Sequence, residues 1–278
     1  MALDRRLNAY RPDLADARLA GKVEAARFAD GDSYEVVRDT APLRRAPRHD
    51  AALDTEALYG ERLRVYEIDE EGWAWGQIES DGYVGYLPAS ALARAGAPAT
   101  HKVTALRSHG YPGPDIKLPP FAALPLGSRI AVARKDGRFA ATAAGLYVPL
   151  RHLAPLATHE KDHVAVAERF IGAPYLWGGK TSLGIDCSGL VQIALDAAGI
   201  PCPRDSDMQE TALGAPATLA GLQRGDLIFW KGHVAIARDA DTIVHANAFH
   251  MAVAVEPVAE AVARIRTAGD DVASVRRL

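Results

Sequence analysis

The sequence predicts an α+β chain in which two small β-barrels precede a mixed α/β domain. Three observations predict it. The first half carries a diverged internal repeat of strand-like segments, and the pattern changes abruptly at residues 155–158. Beyond that point an apolar-striped helix beginning at Cys187 is followed by three strand-like runs.

The repeat pairs residues 57–65 with 124–132, each holding a glycine, Gly60 or Gly127, followed by alternating apolar positions. Glu71-Gly72-Trp73-Ala74-Trp75 corresponds to Asp136-Gly137-Arg138-Phe139-Ala140. Tyr86-Leu87-Pro88 with Leu92-Ala93 corresponds to Tyr147-Val148-Pro149 with Leu153-Ala154. The period of two in Leu63, Val65 and Glu67, with turns such as Asp81-Gly82, marks short strands. A unit of roughly 60 residues built this way predicts a small β-barrel. The expected boundaries are an N-terminal segment at 1–30, barrels at 31–95 and 98–155, and an α+β domain at 158–278. Trp73 and Trp75 alternate on one strand face and are expected to pack in a core.

In the last domain, Thr158 is the expected cap of a helix reaching about residue 171, with Val164, Ala167, Phe170 and Ile171 on one face. A Gly- and aromatic-rich loop fills 172–184. The helix over 187–198 has the stripe Leu190, Val191, Ala194, Leu195 and Ala198, and Gly199 and Pro201 end it. Strands are expected at 226–230, 233–237 and 242–246, then at 252–255. A helix over 257–265 and a strand bearing Val275 complete the domain.

The 278 residues are 49% hydrophobic and 24% charged, with a net charge of −3. That composition is ordinary for a globular protein and lacks the basic footprint of nucleic-acid binding. No apolar run approaches the ~18 residues of a membrane span. Residues 1–16 hold Arg5, Arg6 and Arg11 with no apolar block behind them, so no secretory signal is read and a cytoplasmic location is expected. Two cysteines, Cys187 and Cys202, form neither a C-x-x-C pair nor a disulfide framework, and this far apart they make a poor zinc site. Cys202, between two prolines, reads as structural.

Chemistry concentrates on three residues. Cys187 opens its helix with Asp186 as the expected cap. Unpaired N–H groups and the helix dipole favour an anion there, so the position is expected to lower the thiol pKa. Alone, such a cysteine reads more readily as a small core residue. His233 and His245 flank the turn Asp239-Ala240-Asp241. An antiparallel hairpin with an even register puts both imidazoles on one face. His233 can then take the thiol proton while His245 orients it.

The wider string Pro-Tyr-Leu-Trp-Gly-Gly (174–179), Asp-Cys-Ser-Gly (186–189), Arg-Gly-Asp-Leu (224–227), Gly-His-Val (232–234) and Val-His-Ala (244–246) resembles the NlpC-type family of papain-like cysteine peptidases. The Gly-Tyr-Val-Gly-Tyr-Leu-Pro segment (82–88) resembles bacterial SH3-like domains. The resemblance implies a circularly permuted papain-like fold behind two SH3-like barrels, with Cys187 as nucleophile, His233 as base and His245 as the orienting residue. It implies hydrolysis of short murein peptides at the bond from γ-D-glutamate to meso-diaminopimelate or lysine, with no cofactor, metal, nucleic-acid, membrane or obligate protein partner. Tyr175, Trp177, Asp186, Ser188 and Ser206 fall at its cleft positions, with Tyr175 and the Cys187 N–H as oxyanion donors. Glu61 and Tyr83 are the corresponding candidates for holding a free substrate amine. A capped cleft of that kind implies recycling of released wall peptides. Two other readings stand beside this one: a different cysteine amidase or acyltransferase, and a catalytically silent wall-binding protein.

Overall fold

The structure, a computed structural model, describes residues 3–278; Met1 and Ala2 of the expected 1–30 segment lie outside the described residues. The chain forms two compact units, residues 1–156 and 157–278.

In the first unit, seven strands form a curled sheet in the order Leu53–Leu58, Thr40–Arg44, Val84–Pro88, Trp73–Ile78, Arg62–Ile68, Asp32–Val36 and Leu92–Arg94. Alternating residues turn Leu43, Leu63, Val65, Ala74, Ile78 and Leu87 into one core. Trp73 and Trp75 are buried, but Trp75 joins a different cluster from Ala74. It packs with Ala9, Leu14 and Tyr66, and the Arg11 guanidinium lies 4.4 Å from its ring centroid. The core expected for Trp75 is therefore made against the N-terminal segment, outside the barrel interior.

Short strands over 101–155 repeat this order of elements in the same unit. Val84–Pro88 leads through a 3-10 turn, Ala89–Ala91, into Leu92–Arg94, and Tyr147–Pro149 leads through Leu150–His152 into Leu153–Pro155. Gly60 marks where the two parts of the unit meet. At a φ of 75° its backbone approaches so closely that a Cβ would lie 1.9 Å from the Arg129 carbonyl oxygen.

The second unit is built on a six-stranded antiparallel sheet. Its order is Ala215–Ala217, Ser274–Arg277, Leu227–Trp230, His233–Ala237, Thr242–Asn247 and Ala252–Pro257. Four helices accompany it: α1 (His163–Glu168), α2 (Cys187–Ala197), α3 (Ser206–Ala212) and α4 (Val258–Thr267). Helix α2 is buried along nearly its whole length and packs on the two strands that carry His233 and His245. Helix α4 joins the core made by Ile228, Trp230, Ala235, Ala237 and Ile243.

The start of α1 differs from the expected Thr158. Asp162 is the cap, and its Oδ1 accepts from the N–H groups of Val164 at 2.9 Å and Ala165 at 3.2 Å. A carboxylate satisfies two orphan donors there, so the helix begins at His163 and ends at Glu168, short of residue 171. Helix α3 was not anticipated from the sequence. Among the described residues no helix is long and apolar enough to cross a membrane.

Candidate active site

The site is assembled at the start of α2. Asp186 caps the helix through Oδ1, which accepts from the Gly189 N–H at 2.7 Å, while Oδ2 accepts from the Gly178 N–H at 2.8 Å. The same carboxylate receives Arg204, whose Nη1 lies 2.9 Å from Oδ1 and whose Nη2 lies 2.7 Å from Oδ2. Arg204 is 1% exposed and also donates to Ser188 Oγ at 2.8 Å and the Gly179 carbonyl at 3.2 Å. Gln209, wholly buried on α3, donates to the Ser188 carbonyl at 2.9 Å. This lattice of buried bonds locks the loop over 174–186 and α3 onto the end of α2 that carries Cys187.

The loop itself is pinned on both sides. Tyr175 bridges to Ile185, two residues before Cys187, and its N–H donates to the Met251 carbonyl at 2.9 Å. Met251 is the one described non-glycine residue with positive φ, 51°. That conformation is uncommon outside glycine, and here the Tyr175 contact and the neighbouring bond from the His250 N–H to Asn247 Oδ1 (2.8 Å) hold it. The Tyr175 hydroxyl pKa is raised by burial first, then by the nearby Cys187 and Asp186 charges, which places the ring beside the thiol.

The Cys187 sulfur is buried and takes backbone N–H groups from Val234, the neighbour of His233, and from Ser188. The helix start does not lower this thiol as the sequence reading expected. Burial pushes it up to about 11, the Asp186 carboxylate adds to the rise, and the two N–H groups and Arg204 oppose it.

The strands packed against α2 carry a chain of imidazoles. Ile236 faces Val244 across the hairpin, an even register that sets His233 and His245 diagonally on one face. His233 Nε2 lies 3.0 Å from His245 Nδ1. His245 is 1% exposed, and its Nε2 lies 3.1 Å from Glu256 Oε2. Glu256 in turn receives Arg264 of α4, Nε at 3.0 Å and Nη2 at 2.7 Å. Burial drives the His233 pKa down to about 3, with the His245 charge next. Burial also drives His245 down to about 4, against the pull of Glu256. Burial thus favours the neutral form of both the thiol and the imidazole.

One group among the described residues has metal-ligand geometry: His245, His250 and Glu256, with ligand atoms within 4.8 Å of one another. His245 and Glu256 already bond each other, and a guanidinium covers Glu256. The set is a hydrogen-bond chain rather than an open coordination sphere.

The sequence-derived residues fall as follows. Cys187, His233 and His245 lie on α2 and the two strands against it. Trp177 is 64% exposed on the pinned loop. Ser188 donates to Asp186 Oδ1 at 3.3 Å, and Ser206 is half-buried at the first turn of α3. The Asp186 carboxylate is committed to the helix cap, the loop and Arg204, so its place is as the frame of the site. Glu61 and Tyr83 lie in the first unit. Glu61 is buried, its carboxylate accepting from the Leu58 N–H at 2.7 Å and Ser80 Oγ at 2.8 Å. Tyr83 is packed inside the first barrel's core. Cys202 is half-buried, its thiol donating to the Pro203 carbonyl at 3.3 Å. Sequence reasoning missed Arg204, Gln209, Glu256 and Arg264. Glu256 alone left a signal, being spaced in step with Ala252 and Ala254 on an alternating strand.

A cysteine at a helix start beside a histidine-bearing antiparallel sheet defines the second unit as a papain-like domain of the cysteine hydrolase class. Residues 172–270 match the NlpC/P60 family, and residues 43–92 match the bacterial dipeptidyl-peptidase Sh3 domain, so the chain carries an NlpC/P60 domain behind an SH3-like one. Dipeptidyl-peptidase 6 of Lysinibacillus sphaericus is 42% identical over 84 residues, covering 30% of this chain and 31% of that protein. A γ-D-glutamyl-L-lysine dipeptidyl-peptidase of Bacillus cereus is 29% identical over 143 residues, 49% of this chain and 40% of the relative. The chain thus spans less than half the length of these two relatives. Its Bacillus subtilis namesake is 27% identical over 201 residues, 65% of each. The crystal structure of an NlpC/P60 family protein from Bacillus cereus superposes with a TM-score of 0.76 at 20% identity, over 88% of this chain and 99% of that one, a likeness of fold.

Proposed function

We propose that this chain is a cysteine peptidase that hydrolyses the amide bond from γ-D-glutamate to a diamino acid, meso-diaminopimelate or lysine, in short murein peptides with a free N-terminal L-Ala. The observation that carries the reading is the 3.0 Å contact between His233 and His245 on strands packed against the helix that Cys187 opens. The names of the Bacillus relatives, matched over up to 65% of this chain, support the bond.

In the proposed reaction His233 takes the Cys187 proton as the sulfur attacks the amide carbonyl. The resulting imidazolium protonates the leaving amine, and water then hydrolyses the thioester, with His233 again as base. His245 holds the His233 ring and shares its transient charge. The Cys187 N–H and the Tyr175 hydroxyl are the oxyanion donors in this reading. Trp177, Ser188 and Ser206 line the peptide path, framed by Asp186. Glu61 and Tyr83 are the residues proposed to hold the free amine. A buried carboxylate that demands a charged amine rejects blocked or long wall strands, which fits recycling of released peptides in the cytoplasm.

The test compares L-Ala-γ-D-Glu-meso-diaminopimelate with its N-acetylated form by mass spectrometry. Release of L-Ala-γ-D-Glu from the free peptide alone is the expected result. Equal cleavage of both forms removes the amine-holding role of Glu61, and cleavage of neither removes the substrate.

A further inference from the structure

Three adjacent strands carry His233, His245 and Glu256, and each is displaced by two positions from the residue opposite the next. Ile236 opposes Val244 in the first pair, and His245 opposes Ala254 in the second. Residues related in this way share a sheet face and meet diagonally. The outcome is a linear chain of 3.0 Å and 3.1 Å contacts that ends on a carboxylate 6% exposed.

The chemistry of the end group decides the rest. A neutral imidazole has one donor nitrogen and one acceptor nitrogen, whereas an ionised carboxylate only accepts. Glu256 Oε2 therefore requires the proton of His245 to sit on Nε2. His245 Nδ1 is then a lone pair and accepts from His233 Nε2–H. His233 Nδ1 is left unprotonated, which is the form a base needs.

We propose that Glu256 is a positioning residue that sets the tautomer of His233 through His245, and that Arg264 keeps it in the acceptor-only state. Arg264 meets both carboxylate oxygens, and its guanidinium lies 4.5 Å from the Phe249 ring centroid, so packing as well as charge fixes the fork. The guanidinium and His245 hold the Glu256 carboxyl below its ordinary pKa despite burial. The consequence for turnover rests on the hydrolase reading; the tautomer assignment does not.

The experiment is nitrogen NMR of the full chain labelled at the imidazoles, near neutral pH. The native protein is expected to show His233 and His245 both protonated at Nε2. Either ring protonated at Nδ1 overturns the proposal, whether or not any variant folds. In Glu256→Gln the definite acceptor is lost. The expected result is a His233 population shifted toward Nδ1–H and a fall in kcat of about 10- to 100-fold with KM nearly unchanged, the range for removal of an outer hydrogen-bond partner. Glu256→Asp, which keeps a carboxylate, should recover part of the loss. Unchanged tautomers and unchanged kcat in Glu256→Gln refute it. If no murein peptide is cleaved by the native protein, the peptidase reading fails while the tautomer measurement still stands, with iodoacetamide capture of Cys187 replacing turnover.

Discussion

Arg204 and Asp186 form a two-pronged ion pair at the cap of the helix that Cys187 opens, with nitrogen–oxygen distances of 2.9 and 2.7 Å and the guanidinium sealed from solvent. The pair joins the cap of α2, the Gly178 loop and the first residues before α3, so the position of Cys187 depends on a buried charge balance.

Removing one partner leaves the other charge buried. Arg204→Met is expected to lower unfolding free energy by about 3–5 kcal/mol, the usual cost of breaking a buried pair from one side. Urea denaturation measures it. A loss below about 1 kcal/mol means that the pair is not a support of the fold.

Gly189 lies in the first turn of α2, where Gly→Ala ordinarily stabilises by up to about 1 kcal/mol. Here a Cβ would lie 2.4 Å from the Gly179 carbonyl oxygen and 2.9 Å from Asp186 Oδ1. Gly189→Ala is expected to destabilise by about 1–3 kcal/mol and to slow turnover, because the clash falls on backbone that cannot yield cheaply. Thermal unfolding gives the sign.

His233 and His245 are both neutral at neutral pH, with pKa values driven from 6.5 to about 3 and about 4. The unfolded chain binds protons near 6.5 that the native chain refuses. Between roughly pH 4 and 6.5 stability therefore rises with pH and is lost on acidification. Denaturation midpoints across this window should fall as pH falls, and the slope should flatten in His233→Gln and His245→Gln. For the same reason the acid limb of kcat/KM should lie below the ordinary histidine range.

Cys187 carries the opposite displacement, up to about 11. Its alkylation by iodoacetamide, followed by peptide mass mapping, should show a midpoint above that of a free thiol. A midpoint below pH 7 would instead reveal a preformed thiolate–imidazolium pair.

Much of the catalytic domain could be read from local pattern. Strands at 227–230, 233–237 and 242–247 and the capped helix at 187–197 each announce themselves within a few residues, because periodicity and capping are local. The even register followed from the spacing of two histidines about one turn. Arg204 and Gln209 were not legible, since their burial is decided by chain segments distant in sequence. Glu256 lay one strand beyond the hairpin that the spacing addressed. The thiol was misjudged because a helix start was weighed without the burial and the Asp186 charge around it. Trp75 packs in a core as expected, but which residues cover it, 9–14 among them, could not be read locally.

Sulfur is the attacking atom of the proposed reaction. The decisive measurement is the rate of diaminopimelate release from L-Ala-γ-D-Glu-meso-diaminopimelate by native protein, Cys187→Ala and His233→Ala, each checked for native circular dichroism. The expected result is turnover by the native chain, none above background in Cys187→Ala, and a loss of at least about 10³-fold in His233→Ala. Undiminished release by a folded Cys187→Ala would contradict it.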